Sequence, residues 1–128
     1  MNTKERDLRD YAEDIKGAAD EIDGFIAGMD FEKFSQDRKT INAVIRSLEV
    51  MGEAAKQIPA EKMRNYPAIP WKSMVSMRDK LIHGYFGIDE RIVWEVATKE
   101  LPRIKKEIAE FAKGIRKEYS GQYKGENR

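Results

Sequence analysis

Apolar residues recurring at intervals of three and four constrain this chain more than any other feature of its sequence. Leu8, Tyr11, Ala12, Ile15, Ala18, Ala19, Ile22, Phe25, Ile26 and Met29 trace one such stripe, which predicts an amphipathic helix over residues 4–28 with a strongly acidic opposite face. A second helix is predicted after Gly28-Met29-Asp30. Phe31 and Phe34 anchor its start, and Ile41, Val44, Ile45, Leu48, Met51, Ala55 and Ile58 continue the stripe up to Pro59, which ends it. Inside it lies Gly52-Glu53-Ala54-Ala55, and a mid-helix Gly costs about 1 kcal/mol relative to Ala. Close approach of a neighbouring helix is the expected compensation.

A short helical turn is expected at Ala60–Asn65, followed by an extended connection through Tyr66-Pro67-Ala68-Ile69-Pro70. Pro70-Trp71 then opens a third main helix that runs to His83 and is broken by Gly84 and Gly87. Asp89 is suited to cap the last helix, whose stripe includes Ile92, Val93, Val96, Leu101, Ile104, Ile108, Phe111 and Ile115, with Pro102 kinking or dividing it. No segment alternates as a strand does. The predicted fold is all-α, an up-and-down bundle of four main helices with a short extra helical turn and a last helix kinked at Pro102. The helical domain spans 1–119, and the polar, Gly-containing residues 120–128 read as a flexible C-terminal tail.

With 128 residues the chain is one domain, able to bury roughly two-thirds of its unfolded surface and hold together without staples. It has no Cys and one His. Disulfides, Cys-based or paired-His zinc sites and thiol nucleophiles are therefore excluded, leaving a carboxylate cluster as the one metal option. The start of the chain is charged and reaches no apolar stretch of the secretory kind, and no apolar run approaches the ~20 residues needed to cross a bilayer, so a cytoplasmic protein is expected. The net charge of +1 conceals an asymmetry. Residues 1–37 carry 5 basic and 11 acidic residues, and residues 38–128 carry 19 basic and 12 acidic.

The chemically unusual residues converge in Arg78-Asp79-Lys80-Leu81-Ile82-His83-Gly84-Tyr85. A helix C-terminus carries partial negative charge and favours protonated imidazole, a useful poise for a general acid near neutral pH. Arg78 brings a planar, permanently charged fork suited to phosphate oxygens. Together these suit phosphodiester cleavage without a metal. On residue types alone, His83 also fits a capping or surface role, Arg78-Asp79 a solvated charged face, and Tyr85 an aromatic packed at a helix terminus. Glu49 and Glu53, four apart, face either a cleft, a neighbouring basic residue or solvent. Trp71 and Trp94 read as core or interface anchors. The basic residues of the last helix, Lys105 and Arg116 among them, either contact an RNA backbone, solvate the helix or pair with the acidic first helix of a neighbour.

The segment Arg78-x4-His83-x-Tyr85 resembles the R-x4-H-x-Y signature of HepT-type toxins in the HEPN ribonuclease superfamily. The run Ala43–Lys56, the connection Tyr66–Trp71, the segment Met77–Gly87, Asp89 and Val93-Trp94 are also similar to that family, so the likeness covers residues 5–115. The resemblance implies a helical homodimer acting as a metal-independent endoribonuclease without a cofactor, with its active cleft at the dimer interface. Carried over by position, it implies that Arg78 and His83 are the catalytic pair, Asp79 a supporting polar residue and Tyr85 a site of modification. It further implies a type VII toxin–antitoxin system, in which a minimal nucleotidyltransferase of the MntA kind transfers AMP to Tyr85 and silences the nuclease.

Physical reasoning agrees with this. Attack of a 2′-hydroxyl wants both a base and an acid, and this chain has one His. A two-fold dimer supplies two, together with two copies of Arg78. AMP on Tyr85 would add charge and bulk beside the cleft and repel an RNA phosphate. Any RNA site is expected to be a local cleft around Arg78, Lys80 and His83, with Lys80 as an RNA contact and with modest, salt-sensitive affinity. The competing reading is a non-catalytic HEPN module that binds a nucleotidyltransferase, and a third is a helical scaffold without phosphate chemistry.

Overall fold

The computed structural model describes residues 5–83 and 88–126, with side chains described at 5–81 and 88–120. The described residues form α1 (Leu8–Ile26), α2 (Phe31–Gln36), α3 (Arg38–Lys56), α4 (Ala60–Met63), α5 (Trp71–His83), α6 (Glu90–Glu95), a π-helical turn (Val96–Glu100) and α7 (Leu101–Glu126). The fold is an all-α bundle in which α3 packs against α1 and α5, and α1 packs in turn against α7. Ile15, Ile22, Phe34, Ile41, Val44, Ile108, Phe111 and Ile115 are fully enclosed, and all belong to the apolar stripes of the sequence. Among the described residues no helix is long and apolar enough to cross a membrane.

Aspartates cap the starts of α1, α2, α3 and α6. Asp7 and Asp10 form a reciprocal capping box on α1, Asp30 accepts from the backbone N–H of Lys33 at 2.8 Å, and Asp89 accepts from that of Arg91 at 2.9 Å. Gly28, at φ 77°, makes the turn between α1 and α2. The single helix expected over 31–58 is in fact two. Asp37 accepts from the backbone N–H of Thr40 at 3.1 Å and from its hydroxyl at 2.7 Å, and its own N–H bonds to the carbonyl of Phe34. A side chain that captures backbone donors in this way competes with the helical ladder, so Asp37 closes α2 and opens α3.

The last helix is divided rather than continuous, as Pro102 leads one to expect. The ladder widens just before the proline, where the N–H of Leu101 reaches back five residues to the carbonyl of Val96. A π turn at this point relieves the clash between the ring and the carbonyl four residues earlier. At its other end α7 differs from the sequence reading, because helix continues to Glu126, beyond the expected boundary near Ser120. Gly121 and Gly125 lower helix propensity but, unlike proline, keep their backbone donors. Contacts just upstream also hold this end, with Lys62 paired to Glu118 and Arg9 lying 5.0 Å over the ring of Tyr119.

Candidate active site

The site begins with a missing side chain. A Cβ at position 52 would lie 2.7 Å from the carbonyl oxygen of Met74 and would overlap Cβ of Arg78. The close approach that the mid-helix glycine predicts is therefore present, between α3 and α5, and the aliphatic stem of Arg78 occupies the space.

From that anchor the guanidinium reaches two carboxylates. Its Nη2 lies 2.9 Å from Oε2 of Glu53 on α3, and its Nη1 donates to Oδ1 of Asp79 at 2.9 Å. Nε is buried without a hydrogen-bond partner among the described residues. The Arg78 side chain keeps only 22% of its exposure, whereas Glu53 and Asp79 keep 53% and 54%. The cation is thus held from a tight helix contact by partners that remain wet, so solvent screens these pairs and their net contribution to stability is small.

Arg78 forms part of the wall of an open groove of about 450 Å³ between α1, α3 and α5. Each guanidinium along it faces a carboxylate: Arg6 with Asp14 at 2.6 Å, Arg46 with Glu49 at 3.7 Å and Arg78 with Glu53 at 2.9 Å. A phosphate entering here meets arginines that already have carboxylates beside them, and these oppose its binding. Of the two acids that the sequence singles out, Glu53 meets the signature arginine and Glu49 meets Arg46. Their four-residue spacing announced a shared face; Glu49 meets Arg46 one turn earlier on α3, while the pairing of Glu53 with Arg78 came only with the packing of α5. The groove role of Arg6 had no signal in the sequence.

Lys80 lies two residues beyond Arg78, about 200° around α5. It borders a separate hollow with Met77, Ile88 and Ile92 on the α6 side, so the structure does not bring Lys80 and Arg78 together. His83 is the last residue of α5. The helical register places position 83 one turn after Asp79 and about 140° from Arg78, and its side chain lies outside the described residues. Tyr85, with Gly84 and Gly87, also lies outside them.

The tryptophans are packing residues. Trp71 is buried, donates from Nε1 to the carbonyl of Tyr66 at 3.2 Å and meets Phe111 edge-on at 5.0 Å. Trp94 packs on Phe34 at 5.1 Å and on Phe31 at 6.3 Å. The basic last helix pairs with the acidic first helix of the same chain, through Lys105 with Asp23 and Asp20 and through Arg116 with Glu13. The bonded carboxylate of Asp23 pushes the Lys105 ammonium above its ordinary pKa. The hydrogen bond from Lys16, with a further contribution from Lys105, pulls Asp20 below the usual carboxylate value.

Chemically, the groove offers three guanidinium cations with carboxylates beside them. The one imidazole in the chain stands at the end of the helix that carries Arg78. Comparison with known proteins gives this arrangement its context. A family described as Ribonuclease HepT-like matches residues 15–111, a span containing Glu53, Arg78, Asp79, His83 and Tyr85. A Methanocaldococcus jannaschii protein named as an RNase is 46% identical over 110 residues, covering 86% of this chain and 91% of its own. A Thermococcus cleftensis protein named as a ribonuclease HepT is 45% identical over 108 residues, covering 84% and 98%. A Caldanaerobacter subterraneus protein named as an RNase is 41% identical over 103 residues, covering 80% and 92%. No solved structure matches the chain significantly. The family match from α1 to α7 and the near full-length relatives lead to one conclusion: the chain belongs to the HepT-like ribonuclease family.

Proposed function

We propose that this protein is a metal-independent endoribonuclease toxin that cleaves RNA in a cleft shared by two copies of the chain. The observation that carries the reading is Arg78, a partly buried guanidinium anchored at an α3–α5 contact, on the helix that ends at the only imidazole of a chain from this family. Arg78 stabilises the charge that builds on the phosphorane, and His83 moves protons, as base in one copy and as acid in the other. Asp79 orients the Arg78 guanidinium from the adjacent position.

In this reading the second copy sits at the C-terminal end of α5, against the hollow bordered by Met77, Ile88 and Ile92 and near position 83. Ile92 keeps 53% exposure, unusual for a large apolar side chain in a chain with so enclosed a core. Tyr85 is the modification site in this reading, and a minimal nucleotidyltransferase silences the nuclease by placing AMP there.

Purified protein should degrade total cellular RNA in the presence of EDTA, and His83→Ala should abolish cleavage. Activity that survives the substitution, or that disappears with EDTA in the unchanged protein, would sink the mechanism. Incubation with ATP and the nucleotidyltransferase should add mass at Tyr85 by peptide mass spectrometry and suppress cleavage. Stable binding of the two proteins without modification and without nuclease activity would establish the non-catalytic module instead.

A further inference from the structure

We infer that Glu53 and Gly52 of α3 are positioning residues for the ribonuclease reaction, holding the Arg78 guanidinium at the groove wall where a scissile phosphate would enter. The inference rests on the reading of Arg78 as the transition-state cation, and it adds a second helix to a site that the signature confines to α5.

Three observations combine. Gly52 leaves no Cβ to keep α5 away, so the first carbons of the Arg78 side chain are clamped against the α3 backbone. Glu53, the next residue, faces the far end of the same side chain, with Oε2 2.9 Å from Nη2. Between these two restraints Nε is buried and bonds to nothing among the described residues. An unsatisfied buried donor is costly, and an arginine free to choose would turn Nε to water or to a carboxylate. That it does not indicates that stem and tip are restrained, by Gly52 and Glu53 of α3 together with the adjacent Asp79.

Glu53 has a second effect of opposite sign. Its negative charge lies where an RNA phosphate must come, so it opposes binding of the very group that Arg78 is to stabilise. Fixing the cation should raise the rate of the chemical step, while the carboxylate weakens association. Removing the charge should therefore move kcat and KM in the same direction. A residue that merely supported the fold would not do this.

The test is steady-state and single-turnover cleavage of a labelled RNA fragment by the full chain carrying Glu53→Gln, beside the unchanged protein and Arg78→Ala. Glu53→Gln should lower kcat roughly 10–100-fold, the scale expected when a reacting group is misplaced by about 1 Å. KM should fall severalfold, and Tm should hold, because the pair is wet. Unchanged kcat, or kcat that falls only in step with Tm, would overturn the inference.

A readout independent of cleavage is the 15N–1H signal of Arg78 Nε, identified by its loss in Arg78→Lys. It should be sharp and slow to exchange in the unchanged protein and become broadened in Glu53→Gln and Gly52→Ala; a signal indifferent to both substitutions would also overturn the inference. If Arg78→Ala still cleaves, it is the assignment of Arg78 that fails, and the Nε signal still decides whether α3 positions that side chain.

Discussion

Arg78 joins two requirements that rarely coincide in one residue. Its stem occupies the space that Gly52 leaves on α3, while its tip faces an open groove and two wet carboxylates. Guanidinium suits this role because its planar fork keeps a fixed direction once two of its nitrogens are engaged, whereas an ammonium on a flexible stem does not. Arg78→Lys should therefore retain RNA affinity within severalfold, since the charge remains, yet lose roughly 10²-fold in single-turnover cleavage, the usual cost of one oriented transition-state donor. Equal losses in binding and cleavage would show that Arg78 contributes charge alone.

At the scale of elements, the junctions carry the information. Asp37 terminates α2 and initiates α3 with one carboxylate, and its hydrogen bonds from Thr40, first the hydroxyl and then the backbone N–H, hold it below the usual 3.8. A group whose folded pKa is depressed stabilises the fold above its unfolded pKa, and that contribution is lost as pH falls through the folded value. Asp37→Ala should accordingly lower Tm at pH 7, and the gap between variant and unchanged protein should close progressively below about pH 4. A gap of constant size across that range would assign the effect to packing. The π turn before Pro102 works on similar terms, since a local break in the ladder lets one apolar stripe continue into α7 after a residue that would otherwise end it.

For the whole molecule, the charge asymmetry of the sequence resolves into neighbouring helices. Acidic α1 and basic α7 lie side by side, and Lys105 and Arg116 are engaged with α1 carboxylates. These two cations are thus partly neutralised within the chain, which weakens the case for them as contacts of an RNA backbone. The apolar hollow at Ile92 belongs to the same scale. If it seats a second copy, Ile92→Glu should shift the protein from dimer to monomer by sedimentation and abolish cleavage, with helical content unchanged. A variant that stays dimeric and active would place the interface on another face.

Much of this was legible along the chain. The three apolar stripes, the aspartate cap at Asp89, the break before Pro102 and the close approach at Gly52 all follow from rules acting over one to five residues, which a sequence states directly. The joint at Asp37 was missed because an acid inside an apolar stripe looks the same whether it faces solvent or captures the backbone. Tertiary structure alone decided who meets whom: that the space above Gly52 belongs to Arg78, that Glu53 rather than Glu49 faces it, that Lys80 borders a different hollow, and that the basic end of the chain pairs with its own acidic start. Helical periodicity fixes the angle of a residue about its own axis. It carries no information about which helix will lie opposite, because that choice depends on the packing of all the stripes at once.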